Sequence, residues 1–230
     1  ETMTYSFASP TVYESIGITD HAEFPLAVKI ANPLGEDQSI MRTTMIPSML
    51  EVLSRNYNRR LESCAIFEIN PVFLPKALPL TELPDEVLTL AMGQYGGDSD
   101  FYTLKGKIEA IAILLGLEDN LSFRAAGHPA LHPGRTADVH DRSVGFFGEV
   151  HPEIADRYQM DIRVMIAELN LQAMLDMADM DRIYRPLPRY PAVTRDLALV
   201  VTKKVPAAEI LERIRKAGRP ILEEVSLFDI

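Results

Sequence analysis

The chain has no tryptophan. It has one cysteine in 230 residues, which excludes an internal disulfide and suits a reducing compartment such as the cytoplasm. That residue, Cys64, lies in an apolar strand-like run and reads as core rather than nucleophile. No uninterrupted apolar run is long enough for a membrane-spanning helix, so no membrane partner is expected. The opening Glu1-Thr2-Met3-Thr4-Tyr5 has neither the basic start nor the apolar core of a signal peptide. Internal repeats and low-complexity tracts are also lacking. There is no initiator Met, and the chain halts at Phe228-Asp229-Ile230 inside an apolar run, so a piece of a longer polypeptide is expected.

Missing motifs narrow the chemistry further. Gly93-Gln94-Tyr95-Gly96-Gly97 lacks the Gly-Lys-Ser/Thr ending of a P-loop and does not open a helix as a dinucleotide fingerprint does. A strand-end turn is the simpler reading. Ser9, Ser15 and Ser48 have no nucleophile-elbow pattern around them. His128, His132, His140 and His151 fall within 24 residues, with Asp138 and Asp141 among them. None of their spacings is a ligand signature, so no metal site is expected. Gly134 in His132-Pro133-Gly134-Arg135 would free the backbone for a positive φ, and Arg135 could pin a carboxylate or carbonyl. His132, Gly134 and Arg135 are therefore expected to form a structural turn.

What is present is an ordinary soluble composition, 47% hydrophobic, with room for one large domain or two small ones. Charge is distributed unevenly. The whole chain is −10, yet residues 182–219 hold ten Lys or Arg against three Asp or Glu, a net of +7. A basic segment on an acidic body points to a polyanion, of which nucleic acid is the commonest, or to a solvated basic helix face. Pro186, Pro188 and Pro191 precede its core and predict an extended linker.

The periodicities predict a succession of elements. Residues 3–7 and 27–31 have short strand character, and a helix follows from Pro47 to Arg60 with Met49, Leu50, Leu53 and Tyr57 at helical spacing. Strands are predicted over 65–73 and 87–95. The clearest helix runs from Phe101 to Leu115, capped by Asp100, with Leu104, Ile108, Ile111, Ala112 and Leu115 as its apolar stripe. Short strands around 121–123, 137–139 and 144–150, a helix from Pro152, a strand at 164–169 and a helix at 171–177 complete this part. The pattern predicts an α+β domain around a mostly antiparallel sheet. Beyond the linker, a strand over 196–202, a helix from Pro206 and a strand over 221–228 predict half of a ferredoxin-like unit.

Three runs carry a family resemblance, in the order the family has them. They are Asn32-Pro33-Leu34-Gly35 through Arg42-Thr43-Thr44-Met45-Ile46-Pro47, then Leu131-His132-Pro133-Gly134-Arg135-Thr136-Ala137 with Gly145-Phe146-Phe147-Gly148-Glu149-Val150-His151-Pro152, and Tyr190-Pro191-Ala192-Val193-Thr194-Arg195-Asp196-Leu197-Ala198-Leu199-Val200. Together they resemble the bacterial phenylalanyl-tRNA synthetase beta subunit over nearly the whole chain. The resemblance implies a class II synthetase-like module over 1–185, a linker over 186–195 and a partial ferredoxin-fold anticodon-binding domain over 196–230.

The same resemblance implies a non-catalytic part of the ligase that charges tRNA(Phe) with phenylalanine. Class II enzymes grip the ATP α-phosphate with a strand arginine, and lysine or an apolar residue cannot replace its bidentate fork. Leu74 and Pro75 stand where that arginine would be needed, and Asn170 and its neighbours where a second would be. ATP, Mg²⁺ and phenylalanine are then expected to belong to the alpha subunit, partner in an (αβ)2 heterotetramer, and no cofactor to this segment. The family's editing region is not in this chain. Arg42, Met45, Met49, Arg55 and Tyr57 are candidates for the alpha contact, although Met49 and Leu53 could equally face the domain's own core. Arg189, Arg195, Lys203, Lys204, Arg215 and Lys216 are the candidate tRNA contacts. The competing reading is a stand-alone regulatory or amino-acid-binding paralogue of a class II synthetase.

Overall fold

The computed structural model describes residues 1–18, 27–117, 120–140, 142–179, 181, 184, 190–202 and 205–228. The chain divides into two units, Glu1–Arg182 and Ile183–Ile230. The boundary thus falls slightly ahead of the expected residue 185. Part of the expected proline-rich linker over 186–195, namely 186–189, lies outside the described residues.

The first unit is α+β, built on a six-stranded antiparallel sheet. Its strands are β3 (Cys64–Leu74), β4 (Asp85–Tyr95), β5 (Phe123–Ala125), β6 (Leu131–Val139), β7 (Gly145–Val150) and β8 (Val164–Asn170), in the spatial order β3-β4-β8-β7-β6-β5. A two-stranded sheet of β1 (Phe7–Ala8) and β2 (Ile40–Met41) ties the N-terminal segment to the run that enters the first long helix.

Each sheet face has its own helices and its own core. One face packs α1 (Val12–Ser15), α2 (Ile46–Asn58) and α4 (Pro152–Arg157) around Ile16, Met49, Leu50, Leu53, Tyr95 and Ile154. The other packs α3 (Phe101–Leu114) and α5 (Leu171–Met177) around Leu104, Ile108, Phe147, Leu169 and Met174. In α2, Pro47 falls in the first turn, where its missing N–H costs nothing. Its packing face meets Gly93, where a Cβ would come within 2.7 Å of Leu53 Cδ1 and 2.9 Å of Met49 Cγ. The glycine-rich run at the end of β4 therefore serves close helix–sheet packing at Gly93, and a strand-end turn at Gly96, with φ +70°.

α3 follows the predicted stripe, with Leu104, Ile108 and Ala112 buried and Ile111 and Leu115 part-buried at its edges. Its start is fixed by a reciprocal capping box. Thr103 N–H donates to Asp100 Oδ1 at 2.7 Å and Asp100 N–H donates to Thr103 Oγ1 at 2.8 Å. Such a cap contributes about 1 kcal/mol.

Several expectations are corrected. Of the first predicted strand, 3–7, only Phe7 pairs, in β1 with its neighbour Ala8, and the second reduces to one bridge, Lys29 to Ile40, among the described residues. β6 starts at Leu131, so His132, Gly134 and Arg135 lie within a strand rather than a separate turn. The register shifts between Leu131 and Thr136, and the extra residues are absorbed as a bulge. Gly134 is not among the residues with positive φ. The close approach belongs instead to Gly148 across the ladder, where a Cβ would lie 2.4 Å from the Arg135 carbonyl oxygen.

In the second unit α6 (Ala207–Gly218) forms as predicted, but the flanking strands do not. The described residues 190–202 and 222–228 carry no strand ladder. Leu197, Leu199, Val200, Leu227 and Phe228 have strand propensity and stay exposed. Propensity alone makes no strand, because the backbone groups need a neighbouring strand to bond.

Candidate functional site

The strand registers assemble one transverse row across the α2 side of the sheet. Arg124 pairs with Asp138, Asp138 with Phe146, Phe146 with Glu168, Glu168 with Ala91, and Ala91 with Glu68. Directly opposed residues share a face, so four ionisable groups and one aromatic ring line a single band. The chain's own groups engage Glu68, Glu168 and Phe146.

At the β3 end, Glu68 and Arg42 form an ion pair at 3.4 Å with both side chains 2% exposed. Thr4 clamps the same carboxylate, its N–H donating to Oε1 at 3.1 Å and its hydroxyl to Oε2 at 2.8 Å. Arg42 also donates from Nε to the Pro71 carbonyl at 3.1 Å and from Nη1 to Thr4 Oγ1 at 2.9 Å. Burial pushes the Arg42 pKa below its ordinary value, against the pull of Glu68. Removing either partner would strand the other charge in the interior, at about 3–5 kcal/mol.

In the middle of the row, Glu168 Oε2 accepts from Thr44 Oγ1 at 2.6 Å and from the Met45 amide at 2.7 Å. Met45 is the N-cap residue of α2. A helix N-terminus is a ready anion site, and here the chain's own carboxylate fills it. Desolvation nevertheless raises the Glu168 pKa, outweighing these hydrogen bonds and the nearby Arg42.

Towards β5, His128 stacks on Phe146, with ring centroids 4.2 Å apart and an interplanar angle of 18°. The Arg142 guanidinium lies over the same ring, 5.6 Å from its centroid, with its Nε 4.0 Å from Asp138 Oδ1. His128 Nδ1 accepts from the Ala130 amide at 3.1 Å. Desolvation, with a smaller contribution from Arg142, lowers the His128 pKa to about 3, so its imidazole is neutral at pH 7. Among the described residues no group of three or more His, Cys, Asp or Glu is placed to hold a metal ion.

The band carries three carboxylates, Glu68, Asp138 and Glu168, and Asp138 Oδ1 is buried without a hydrogen-bond partner among the described residues. Stabilising charge at a transferring phosphoryl or adenylyl group calls for cations aimed into the site. Leu74 instead ends β3, and Asn170 ends β8 while its Oδ1 caps α5 by accepting from the Ala173 amide at 2.9 Å.

The residues singled out from sequence separate into distinct places. Arg42, Met45 and Met49 are 2%, 1% and 1% exposed, so they belong to this domain's interior and not to its surface. The periodicity that made α2 a candidate contact is the imprint of its own packing on β4. Arg55 is exposed in the last turn of α2, and Tyr57 is part-buried, edge-on to Tyr95 at 5.7 Å. Arg135 does pin a carboxylate, Glu149, at 2.9 Å, and His132 Nδ1 accepts from the Gly134 amide at 3.0 Å. Arg195, Arg215 and Lys216 are exposed, the last two in the final turn of α6. Arg189, Lys203 and Lys204 lie outside the described residues. Sequence reasoning missed Glu68, Glu168 and the His128–Phe146 stack. The available signal was an acidic residue inside an apolar strand, as in Phe67-Glu68-Ile69 and Ala167-Glu168-Leu169.

The sheet and its two helical layers define an aminoacyl-tRNA synthetase-like fold. The pyrrolysyl-tRNA synthetase of Desulfitobacterium hafniense superposes with a TM-score of 0.58 at 12% identity, over 76% of this chain and 62% of that one. The family model "Phenylalanyl tRNA synthetase beta chain CLM domain" matches residues 1–171, and "Ferredoxin-fold anticodon binding domain" matches 188–230. The chain therefore belongs to the phenylalanyl-tRNA synthetase beta chain family. The phenylalanine–tRNA ligase beta subunit of Clostridium tetani is 41% identical across all of this chain, and that of Moorella thermoacetica 39%. The chain spans 29% and 30% of the length of these relatives.

Proposed function

We propose that this chain is a non-catalytic segment of a phenylalanine–tRNA ligase beta subunit, serving assembly with the alpha subunit and tRNA binding. Two family matches in the right order, over 1–171 and 188–230, support the placement. The first unit is read as a class II synthetase module that has lost its chemistry, acting in the cytoplasm within an (αβ)2 heterotetramer. The second contributes to the anticodon-binding domain.

The observation that carries the non-catalytic reading is Glu168. Its carboxylate already fills the α2 N-terminus, in a band whose buried cation, Arg42, is paired with Glu68. Triphosphate and its Mg²⁺ do not fit a cradle of this sign. ATP, Mg²⁺ and phenylalanine are assigned to the alpha subunit, and the beta segment is a scaffold with an RNA-binding extension.

The test uses the intact beta subunit, alone and co-expressed with its alpha subunit. Co-purification is expected, with phenylalanine-dependent ATP–pyrophosphate exchange that requires alpha. Exchange by the lone beta subunit, abolished by Glu168→Gln, would sink the reading.

A further inference from the structure

α2 ends in a turn that glycine usually builds. Arg59 is its C-cap, and Arg60 follows with φ +66°. The Arg60 amide donates to the Tyr57 carbonyl at 2.8 Å, and the Leu61 amide to the Asn56 carbonyl at 3.3 Å. These two bonds close a helix through a left-handed residue, where a Cβ crowds the following carbonyl. α3 closes with Gly116 in the same place, at φ +68°. α4 is followed there by Gln159, so a side chain is tolerated, and its chemistry rather than its strain must name a partner.

The turn is pinned from the sheet. Tyr95 Oη donates to the Leu61 carbonyl at 3.2 Å. Gly96 passes so close that a Cβ would lie 2.0 Å from the Glu62 carbonyl oxygen. Three arginines are thereby carried on a fixed frame. Arg55, Arg59 and Arg60 are all exposed, and among the described residues none of them makes an ion pair or a side-chain hydrogen bond. Arg55 acts on the Glu51 carboxylate only as a longer-range attraction. An acidic chain, net −10, thus keeps a cluster of uncompensated guanidinium groups at one helix end.

Uncompensated arginines attract an anion, and their surroundings choose which kind. Tyr57 is part-buried, edge-on to Tyr95 at 5.7 Å. Leu61, 45% exposed, is the one large apolar side chain exposed between 52 and 63. A protein interface is built around apolar anchors at its centre. A polar, strongly cationic patch fits a nucleic acid backbone instead, and the planar guanidinium matches phosphate oxygens two at a time. Complementing the helix dipole also favours cations in this turn. It gives no reason to keep arginine, rather than glycine, in the left-handed position.

We propose that Arg59 and Arg60, with Arg55 one turn before them, hold backbone phosphates of RNA, giving the first unit an RNA contact of its own. This contact is separate from the anticodon-binding family match at 188–230. It rests on the reading of the chain as part of a tRNA ligase. Phosphate contacts fix register and orientation but carry no base sequence, so the cluster serves cognate and non-cognate tRNA alike.

The experiment titrates tRNA, over a range of salt, into the intact heterotetramer and its Arg59→Gln, Arg60→Gly and Arg60→Lys variants, with thermal melts alongside. Arg60→Gly removes the left-handed side chain, so its melting temperature should hold or rise while its affinity for tRNA falls. Arg59→Gln and Arg60→Gly should each lower the slope of log K against log salt by about 0.7–0.9, equally for cognate and non-cognate tRNA. Arg60→Lys keeps the charge and should keep most of the slope. Unchanged affinity and slope in Arg59→Gln and Arg60→Gly, or a loss confined to cognate tRNA, overturns the proposal. So does release of alpha from the complex by either variant, which would make the arginines a subunit contact. A wild-type heterotetramer that binds no tRNA would sink the proposed function, and this inference with it.

Discussion

Glu168 on β8 holds the backbone amide of Met45 at 2.7 Å, joining two residues 123 positions apart in sequence. The contact fastens the start of α2 to the centre of the sheet. It also places a carboxylate where a helix N-terminus would otherwise attract an anionic ligand.

Glu168→Ala should leave Thr44 Oγ1 and the Met45 amide without their acceptor, at about 1–3 kcal/mol per donor. Glu168→Gln keeps an acceptor and should cost far less. The pH dependence separates the two further. The Glu168 pKa is raised above 4.5 in the folded state, so its contribution is fully present below that value. It is lost as pH rises through the folded pKa. Tyr13, Arg42 and Glu68 face the same region, so the comparison must be with Glu168→Gln in an otherwise identical chain. Denaturant unfolding should show Glu168→Gln gaining on the wild type as pH rises above 4.5. A difference that stays constant with pH would refute the assignment.

His128 titrates with the opposite sign. Its folded pKa is depressed from 6.5 to about 3, so the neutral ring is favoured in the fold. The stabilisation is present above pH 6.5 and lost as pH falls towards about 3. His128→Asn offers an acceptor to the Ala130 amide without an imidazole to protonate. The stability gap between wild type and this variant should shrink or reverse on acidification. A gap independent of pH would show that the ring is not held neutral by burial.

The two glycines flanking the β6 bulge should behave unlike each other. At Gly134 a Cβ would meet His132 Cε1 at 3.5 Å, an ordinary contact, so Gly134→Ala should be nearly neutral. At Gly148 it would meet the Arg135 carbonyl oxygen at 2.4 Å and Thr136 Cα at 3.0 Å, both backbone atoms that cannot swing away. Gly148→Ala should cost about 1–3 kcal/mol. Thermal melts of both variants decide the matter, and equal melting temperatures would contradict the bulge geometry.

What was legible in the sequence was local. α3 has a capping residue, a stripe at helical spacing and a glycine stop, so its bounds could be read within a residue. β3 and β4 were visible as runs of bulky residues bounded by turn signals. Which way α2 faced was not legible, because Met45 and Met49 suit an interface and a core equally well. Glycine type alone could not distinguish Gly134 from Gly148, since the reason lies in the opposing strand. The transverse row could not be read either, because it depends on the registers of six strands from across the chain. A strand pattern over 196–202 predicted pairing that needs a neighbour, and propensity cannot supply one.

The remaining prediction concerns RNA. α6 exposes Arg215 and Lys216 in its last turn, where they also complement the helix dipole. Two explanations therefore compete, phosphate contact and helix stabilisation. Replacing both with Gln in the intact heterotetramer separates them. If they hold phosphates, tRNA binding should weaken, and the slope of log K against log salt should fall by about 0.7 per contact. Helix stabilisation alone would leave affinity and slope unchanged, apart from a loss of about 0.3–1 kcal/mol per residue in stability. Reading the anticodon would need stacking on unpaired bases, and Phe228 is 76% exposed in this unit. Phe228→Leu should then weaken cognate more than non-cognate tRNA, with the salt slope unchanged. Equal loss for both tRNAs would show that the ring supports the fold rather than the reading.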